Sequence, residues 1–307
     1  MKGIRMWKKW QGLLLVVPSI LLVLVFVYGL IAQTFATSLA PLTKKTFAGN
    51  EQIVSPGGFS NYVTLLTDER YQRSLWNLLV LTIVFVGGTM IFGLLWALLL
   101  EKGVTGEGFF RSIYLFPMAV SFIASGLVWK WLLSPGIGDH EAIGLNRLFL
   151  MLGLPELQSK WWSDPGPFNM AAMALPAVWQ LSGYVMALFL AGFRGISEDQ
   201  REAARVDGAT EFRIYRHVLF PQLSPIALSA LIIIGHMSMK TFDLIYAIAG
   251  QNNYVADVPA TLMWTQLFSQ HNAPIAAANA TVLLLIVALV VIPYLVYTNR
   301  TEKEGRR

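Results

Sequence analysis

The stretch of residues 74–100, SLWNLLVLTIVFVGGTMIFGLLWALLL, contains no Asp, Glu, Lys or Arg. The hydrocarbon core of a bilayer is about 30 Å thick, so a helix that rises 1.5 Å per residue crosses it in about 20 apolar residues. The stretch lacks the alternation of apolar and polar residues that is typical of a strand in a membrane β-barrel. It therefore predicts a membrane-spanning helix.

Similar uncharged stretches recur along the whole chain. The 307 residues are 55% hydrophobic and only 13% charged, against about 25% charged in soluble proteins. This composition excludes a disordered chain and disfavours a cytosolic enzyme, and the absence of cysteine excludes a disulfide scaffold. We expect an all-α integral membrane protein that forms one transmembrane domain over residues 1–307. Its six expected spans are about 12–33, 75–100, 112–133, 169–192, 224–247 and 276–298.

The distribution of basic residues predicts the orientation of these spans. Fifteen Lys and Arg residues fall on the side of the N-terminus and six on the other side, and cytoplasmic loops carry the excess of positive charge. Both termini are therefore expected in the cytoplasm. A cleaved signal peptide is the alternative for the N-terminus. Against it, the apolar stretch is longer than usual and lacks a clear cleavage site, so we expect an uncleaved first helix.

One inner loop, residues 194–221, holds ten of the chain's charged residues. Ser197-Glu198-Asp199-Gln200 has the pattern of a capping box, so a short helix is expected to begin at Glu198. It should end near Asp207-Gly208, because glycine adopts the left-handed conformation that closes a helix. Thr210 is a possible N-cap of a second short helix that ends before Pro221. The loop is therefore predicted to contain two short helices joined by a tight turn.

This loop is either a solvated connection or a surface for a partner. Small side chains flank the turn, and larger apolar ones recur at helical spacing beyond it. These residues are Ala203, Ala204, Ala209, Phe212, Tyr215 and Val218. Small residues allow a partner to approach closely, and aromatic residues are typical anchors of an interface. The composition favours a docking element.

The loop resembles the EAA loop of ABC-importer permeases, including its place after the fourth of six spans. The residues that carry the resemblance are Glu202, Ala203, Ala204, Asp207, Gly208, Ala209, Val218 and Pro221. Val218 and Phe220 replace the family's Ile and Leu and keep the apolar character. The resemblance implies that the loop inserts into a cleft of an ATPase subunit. Gly208 would provide the turn, and Glu202, Ala203 and Ala204 the docking surface.

Other segments are similar to the sugar-importing branch of that family, over roughly residues 70–295. They include Tyr114-Leu115-Phe116-Pro117, Trp179-Gln180 and Phe242-Asp243-Leu244-Ile245-Tyr246, and the glucose/mannose-type permeases look most similar. The resemblance implies import of a sugar across the cytoplasmic membrane of a bacterium or archaeon. It also implies a second permease subunit, an extracytoplasmic sugar-binding protein, and ATPase subunits that hold ATP and Mg, with no cofactor on this chain.

A polar stripe is predicted on the fifth expected span. If residues 224–247 form one helix, Ser229, His236, Lys240 and Asp243 lie within about 60° of one another. Ionisable residues inside a span are costly and tend to face a partner or a water-filled cavity. The stripe either lines the translocation path or forms a structural Lys240–Asp243 ion pair. Trp179 is either a stacking surface for a sugar or a packing residue.

Several chemistries have no support in the sequence. The chain has no phosphate-binding loop of the G-x-x-x-x-G-K-[ST] type, so no ATP site of that kind is expected. The four histidines show no metal-ligand spacing. A stand-alone secondary transporter or channel is the main alternative, although the paired half-repeats of such proteins are not evident. A purely structural membrane subunit is a further alternative.

Overall fold

The computed structural model describes residues 16–45, 51–134, 136, 142–166 and 168–304. The N-terminal basic segment and the first residues of the first expected span lie outside this part of the chain. The helices are α1 Val16–Ser38, α2 Ser60–Thr67, α3 Glu69–Glu101, α4 Glu107–Leu115, α5 Phe122–Leu132, α6 Gly144–Met151, α7 Asn169–Gly195, α8 Glu198–Val206, α9 Glu211–Met239, α10 Asp243–Ala249, α11 Pro259–Trp264 and α12 Ala273–Glu304. Two antiparallel strands, β1 Leu42–Lys45 and β2 Glu51–Ser55, follow α1.

Within the described residues, five helices are long and apolar enough to cross a membrane, and one bent pair supplies a sixth span if it is counted as one. The straight spans are α1, α3, α7, α9 and the Ala273–Val296 part of α12. The chain divides into two compact units. The first comprises the described residues up to Asp68 together with Met263–Leu285, and the second comprises Glu69–Leu262 together with the rest of α12.

The third expected span, 112–133, is a broken helix rather than a continuous one. Helix α4 continues through the 3₁₀ turn Phe116–Ala119, and α5 then leaves at an angle of 94°. Val120 is extended between the two halves, and the Ser121 hydroxyl caps α5 by accepting a hydrogen bond from the Ala124 N–H at 3.2 Å. The break follows from Pro117, which removes a backbone donor, and from this new N-cap.

Helix α7 lies at the centre of the second unit, and glycines allow its neighbours to approach it closely. A Cβ at Gly88 of α3 would come within 2.9 Å of Val178, and a Cβ at Gly93 would come within 2.6 Å of Val185. Gly87, in contrast, faces open space. On α7 itself, a Cβ at Gly183 would overlap the carbonyl group of Tyr114, so α4 crosses α7 backbone against backbone. Small residues at helix crossings are typical of packing inside membranes.

The fifth expected span, 224–247, differs from the structure at both ends. Helix α9 begins at Glu211 and continues through the π-helical turn Tyr215–Leu219 to Met239. The predicted second short helix, ending before Pro221, is therefore wrong, because Pro221 lies in the first turn after the π-helical turn and does not stop the helix. At the far end, Lys240 is the C-cap of α9 and Asp243 begins α10.

The first unit contains the hairpin and α2. The buried side chain of Asn61, from α2, donates hydrogen bonds to the carbonyl groups of Ser38 and Ala40, both at 2.9 Å. It also accepts a hydrogen bond from the Ser55 hydroxyl at 2.5 Å. These bonds fasten the end of α1 and the second strand to α2.

Candidate coupling loop and translocation-path residues

The turn between α8 and α9 forms where the sequence places it, but its cap differs. Helix α8 begins at Glu198 with Ser197 in the N-cap position, and the Ser197 side chain makes no capping hydrogen bond. The predicted capping box is therefore wrong. The Gln200 N–H binds the Ser197 carbonyl at 3.3 Å, and the Gln200 side chain accepts a hydrogen bond at 2.6 Å from Gln222 of α9 instead of reaching back.

Gly208 closes α8 as predicted. Its φ is +75°, a conformation that glycine adopts without steric cost. The Gly208 N–H binds the Arg205 carbonyl and the Ala209 N–H binds the Ala204 carbonyl, both at 3.0 Å. The last carbonyl groups of α8 are thereby satisfied before Thr210 leads into α9.

One face of the loop is exposed and partly apolar. Val206 is 88% exposed and Phe212 is 71% exposed, and Glu202 and Ala203 are exposed beside them. Val206 ends α8, between the spans α7 and α9, and Phe212 lies in the first turn of α9, and both belong to the charge-rich segment 194–221. We call these four residues the docking surface.

The opposite face of the loop packs against the helix bundle. Ala204, Ala209 and Val218 contact the hydrophobic core of the second unit, and Ile214 is buried at 1% exposure. Ala204 therefore faces the bundle, whereas the resemblance implied that it belongs to the docking surface. The other two residues of the predicted loop motif, Asp207 and Pro221, are exposed.

A buried carboxylate that the sequence did not single out connects the loop to α3. The Glu101 side chain is 2% exposed and forms an ion pair with Arg201 of α8, which is 12% exposed. It also accepts a hydrogen bond from the Tyr215 hydroxyl of α9. The one available signal is the position of Glu101 directly after the uncharged stretch 74–100.

A second buried cluster of charge lies at the other end of α3. The Arg70 Nε donates to Asp257 Oδ2 at 2.6 Å, and the two side chains are 9% and 4% exposed. The guanidinium also binds Asn252 at 2.9 Å and lies 3.8 Å from the centre of the Tyr254 ring. Burial raises the pKa of the Asp257 carboxyl, and the Arg70 guanidinium opposes that rise. Within the described residues, no group of three or more His, Asp or Glu side chains is placed to hold a metal ion.

Trp179 lines an aromatic cavity of about 410 Å³ in the second unit. The cavity lies between α3, the broken helix and α7, and Trp179 is 44% exposed. Its lining residues are Phe92, Trp96, Ile113, Tyr114, Pro117, Trp129, Leu175, Val178, Trp179 and Ser182. Trp96 and Tyr114 are stacked with their ring centres 4.6 Å apart. Aromatic walls with a few polar groups are typical of small-molecule pockets.

The predicted polar stripe is not continuous. Because α9 ends at Met239, Lys240 and Asp243 do not share a helical face with His236, and that part of the prediction is wrong. Both are exposed, and no ion pair joins them in the described part of the chain. Ser229 donates a hydrogen bond to the Pro225 carbonyl at 2.9 Å and contacts the Tyr294 hydroxyl at 3.1 Å. His236 is half-buried.

The fold and the loop define the class: a helical membrane protein that crosses the membrane several times and carries a two-faced loop between two spans. The family described as "Binding-protein-dependent transport system inner membrane component" matches residues 89–300. The chain belongs to this family. It is a membrane permease component of an ABC importer, and in this family ATP hydrolysis belongs to separate subunits.

Two curated relatives and one solved structure place the chain within the family. A probable ABC transporter permease protein of Pyrococcus horikoshii is 34% identical over 95% of this chain and 96% of its own length. The xylose/arabinose import permease protein XacH of Haloferax volcanii is 34% identical over 77% and 73%. A crystal structure of a bacterial ABC transporter involved in the import of the acidic polysaccharide alginate matches with a TM-score of 0.74. That match covers 96% of this chain and 99% of the other at 22% identity, and it supports the ABC-importer permease fold.

Proposed function

We propose that the chain is a permease subunit of an ATP-driven importer that moves a sugar into the cytoplasm by alternating access. The observation that carries the proposal is the two-faced loop, which offers an exposed apolar surface on one side and packs against the span bundle on the other. The similarity to XacH, whose name gives xylose and arabinose import, supports a saccharide as the substrate class. Whether it is a glucose/mannose-type substrate stays a prediction.

The proposed assembly contains two permease subunits, this chain and a homologous partner. Two ATPase subunits carry ATP and Mg, and an extracytoplasmic sugar-binding protein delivers the substrate. A related bacterial alginate transporter is known in complex with a pentasaccharide-bound periplasmic protein, which supports the last partner. The excess of basic residues on the side of the N-terminus supports cytoplasmic termini and a cytoplasmic loop 194–221.

The docking surface is the proposed point of force transfer. Val206 and Phe212 would enter a cleft on the ATPase subunit, with Glu202 and Ala203 at its edge. Burial of two large apolar side chains stabilises an interface, and aromatic anchors contribute more than their neighbours. Closure of the ATPase dimer would then move the loop and tilt the spans between inward-open and outward-open states.

The aromatic cavity at Trp179 is the proposed contact of the sugar within the bundle. A sugar ring has apolar faces that stack on indole and phenol rings, and Ser182 supplies a hydroxyl at the wall. The cavity borders the broken helix, and interrupted spans often mark transport sites. Ser229 and His236 stay candidates for the path, whereas Lys240 and Asp243 lie beyond the end of α9.

Reconstitution into liposomes tests the function. The permease pair, the ATPase subunits and the binding protein would be tested with glucose, mannose, xylose, arabinose, maltose and trehalose. We expect at least one of these sugars to stimulate ATP hydrolysis and to accumulate inside only when ATP is supplied. Uptake that follows an imposed ion gradient without ATP would instead support the secondary transporter.

A glycine substitution tests the role of the loop. Gly208→Trp is expected to leave membrane insertion intact and to uncouple ATP hydrolysis from uptake, because the new ring stands in the docking interface. Gly103→Trp is the matched control, since Gly103 has a φ of +72° and open space but lies outside the loop. Equal, undiminished coupling in both variants would contradict the proposed role.

Trp179→Ala tests the path. We expect a raised KM for uptake with the sugar-stimulated ATPase retained, because the substrate loses a stacking surface. Trp131→Ala is the control, since Trp131 is 58% exposed on α5 and does not line the cavity.

Lys240→Met is expected to leave transport kinetics unchanged, because Lys240 is an exposed residue at the end of a helix. A changed KM would support a role of Lys240 in the translocation path.

A further inference from the structure

Glu101 is a buried acid at the last residue of α3. Its side chain is 2% exposed, which is unusual for a carboxylate at the end of a membrane span. A buried charge is tolerated when a partner of opposite charge and hydrogen bonds compensate its lost hydration. The partner here comes from sequence 100 positions away, on α8.

The same carboxylate joins three helices. One of its oxygens pairs with Arg201 of α8, and the other accepts the hydrogen bond from Tyr215 at the start of α9. The Tyr215 ring lies edge-on to Phe193 of α7, with ring centres 6.3 Å apart, and under the Lys102 ammonium group at 5.8 Å. The end of the second span, the first loop helix and the foot of the fifth span therefore meet at one side chain.

The other ion pairs of the loop are of a different kind. Arg205 pairs with Glu198 at 3.4 Å and with Glu211 at 3.1 Å, and all three side chains are about half exposed. Both of these pairs stay within the loop. Arg201 itself also lies 3.7 Å from Glu198, which is 60% exposed, and the more exposed Arg194–Glu107 pair links the end of α7 to α4. Among the residues that the structure describes, the Glu101–Arg201 pair is the one buried ion pair that connects the loop to a span.

The direction in which the Arg201 side chain points places this ion pair between the docking surface and the helix bundle. Arg201 points into the bundle, whereas its neighbour Glu202 lies on the exposed docking surface. A force applied at Glu202 would therefore act across α8 on the buried pair.

We propose that Glu101 is a positioning residue that locks the docking loop to the second and fifth spans. Movement of the loop then tilts α3 and α9 together. Without the pair, α8 shifts against the bundle, and ATP hydrolysis proceeds with little transport. The inference rests on the proposed coupling function of the loop and adds the element that transmits its movement.

The test measures the ratio of sugar transported to ATP hydrolysed in the reconstituted complex, with the sugar of the panel that stimulates ATPase activity most. Glu101→Gln keeps the shape and the acceptor for Tyr215 but removes the charge. We expect the ratio to fall by about 5-fold or more, with sugar-independent ATP hydrolysis retained. Glu107→Gln is the matched control, because it breaks the more exposed pair with Arg194. An unchanged ratio in Glu101→Gln would overturn the proposal.

A second variant distinguishes loss of the ion pair from misfolding of the Glu101→Gln protein. The natural chain has no cysteine, so Glu101→Cys/Arg201→Cys can be bridged by a cleavable bifunctional thiosulfonate reagent. The bridged protein is expected to restore the transport ratio, and cleavage of the bridge in the same sample is expected to lower it again. Equal ratios before and after cleavage would overturn the locking role.

The outcomes separate this inference from the proposed function. If Gly208→Trp uncouples the complex and Glu101→Gln does not, the loop is the coupling element and the lock is wrong. If the wild-type complex shows no ATP-dependent uptake of any sugar, the proposed function itself fails. Binding of the ATPase subunits by Glu101→Gln, measured by co-purification, is expected to equal that of the wild type, because the docking surface is unchanged.

Discussion

The two ends of α3 carry buried ion pairs of the same chemistry but different surroundings. At one end, Arg70 and Asp257 are held by further contacts from Asn252, Tyr254 and Thr261. At the other end, Glu101 has Arg201 and a single tyrosine hydroxyl. The first arrangement over-determines the position of one loop, whereas the second connects two helices of another loop to the span through one acid. We call the Arg70–Asp257 end the clamp and the Glu101–Arg201 end the joint. We infer that the clamp holds its loop in one position, whereas the joint transmits movement of α8 to α3.

Among these substitutions, one at the clamp is expected to lower the free energy of unfolding most. Asp257→Asn leaves the Arg70 guanidinium buried without its counter-charge, so we expect a loss of about 3–5 kcal/mol in the free energy of unfolding. Denaturant unfolding in detergent measures it. Asp164→Asn is the control, since the Lys160–Asp164 pair is more than half exposed and contributes about 1 kcal/mol or less. Similar losses in both variants would remove the distinction between a clamp and a surface pair.

The clamp and the joint can act differently only if the helices that pack between them, around α7, form a rigid bundle. Gly183→Ala places a methyl group against the Tyr114 backbone, and we expect a loss of about 2 kcal/mol from overpacking. Gly87→Ala, a methyl group in open space on α3, should be neutral or stabilise by about 0.5 kcal/mol. The same unfolding experiment compares them. If both variants behave alike, the close crossing of α4 and α7 does not support the bundle.

At the joint, Tyr215→Phe removes one hydrogen bond and keeps the ring. Because the acceptor is a carboxylate, we expect a loss of about 1.5 kcal/mol in stability. Tyr294→Phe removes a contact with the neutral Ser229 hydroxyl at 3.1 Å and should cost about 0.5 kcal/mol. A double-mutant cycle with Glu101→Ala, which removes the acceptor, measures the coupling directly, and additive effects would show that the hydroxyl and the acid act independently.

The smallest effect is expected among the exposed pairs of the loop. Arg205→Ala breaks the contacts with Glu198 and Glu211, and such exposed pairs contribute little to stability because water screens their charges. The effect should shrink further in high salt because exposed charges are screened. Arg213→Ala provides the reference for removing an exposed charge from the same loop. A large, salt-independent loss for Arg205→Ala would mean that the loop, and not the joint, holds α8 in place.

The sequence predicts the spans well where hydrophobicity alone decides, as in α3 and α7, and poorly where a span is interrupted. Pro117 lies at a break, whereas Pro176, Pro225 and Pro293 lie inside helices. The residue type is the same, and packing against neighbouring helices decides the outcome. The end of α9 at Met239 coincides with Lys240, the first charged residue after the uncharged stretch 217–239, but apolar residues resume at Leu244, so the sequence predicts one longer span.

In the coupling loop too, the sequence predicts features that depend on local residues and misses those that depend on the fold. The turn at Gly208 is a local property, since a left-handed residue is needed after α8, and the motif predicts it. The pairing of Glu101 with Arg201 is not local, because it depends on where the fold brings two distant segments. The exposure of Phe212 and the partial burial of Tyr215, three residues apart, likewise depend on which face of α9 meets the bundle.

The continuity of α9 sets a limit on how the loop can change in length. The helix has 29 residues and is about 43 Å long at 1.5 Å per residue. It runs unbroken from the docking surface into the span, so one inserted residue would rotate Phe212 by about 100° relative to the bundle. An insertion or deletion in this segment is therefore expected to change the direction in which Phe212 points, whereas a substitution leaves the spacing unchanged. The spacing between the Gly208 turn and the fifth span therefore sets the orientation of Phe212 relative to the bundle, on which the proposed contact with an ATPase subunit depends.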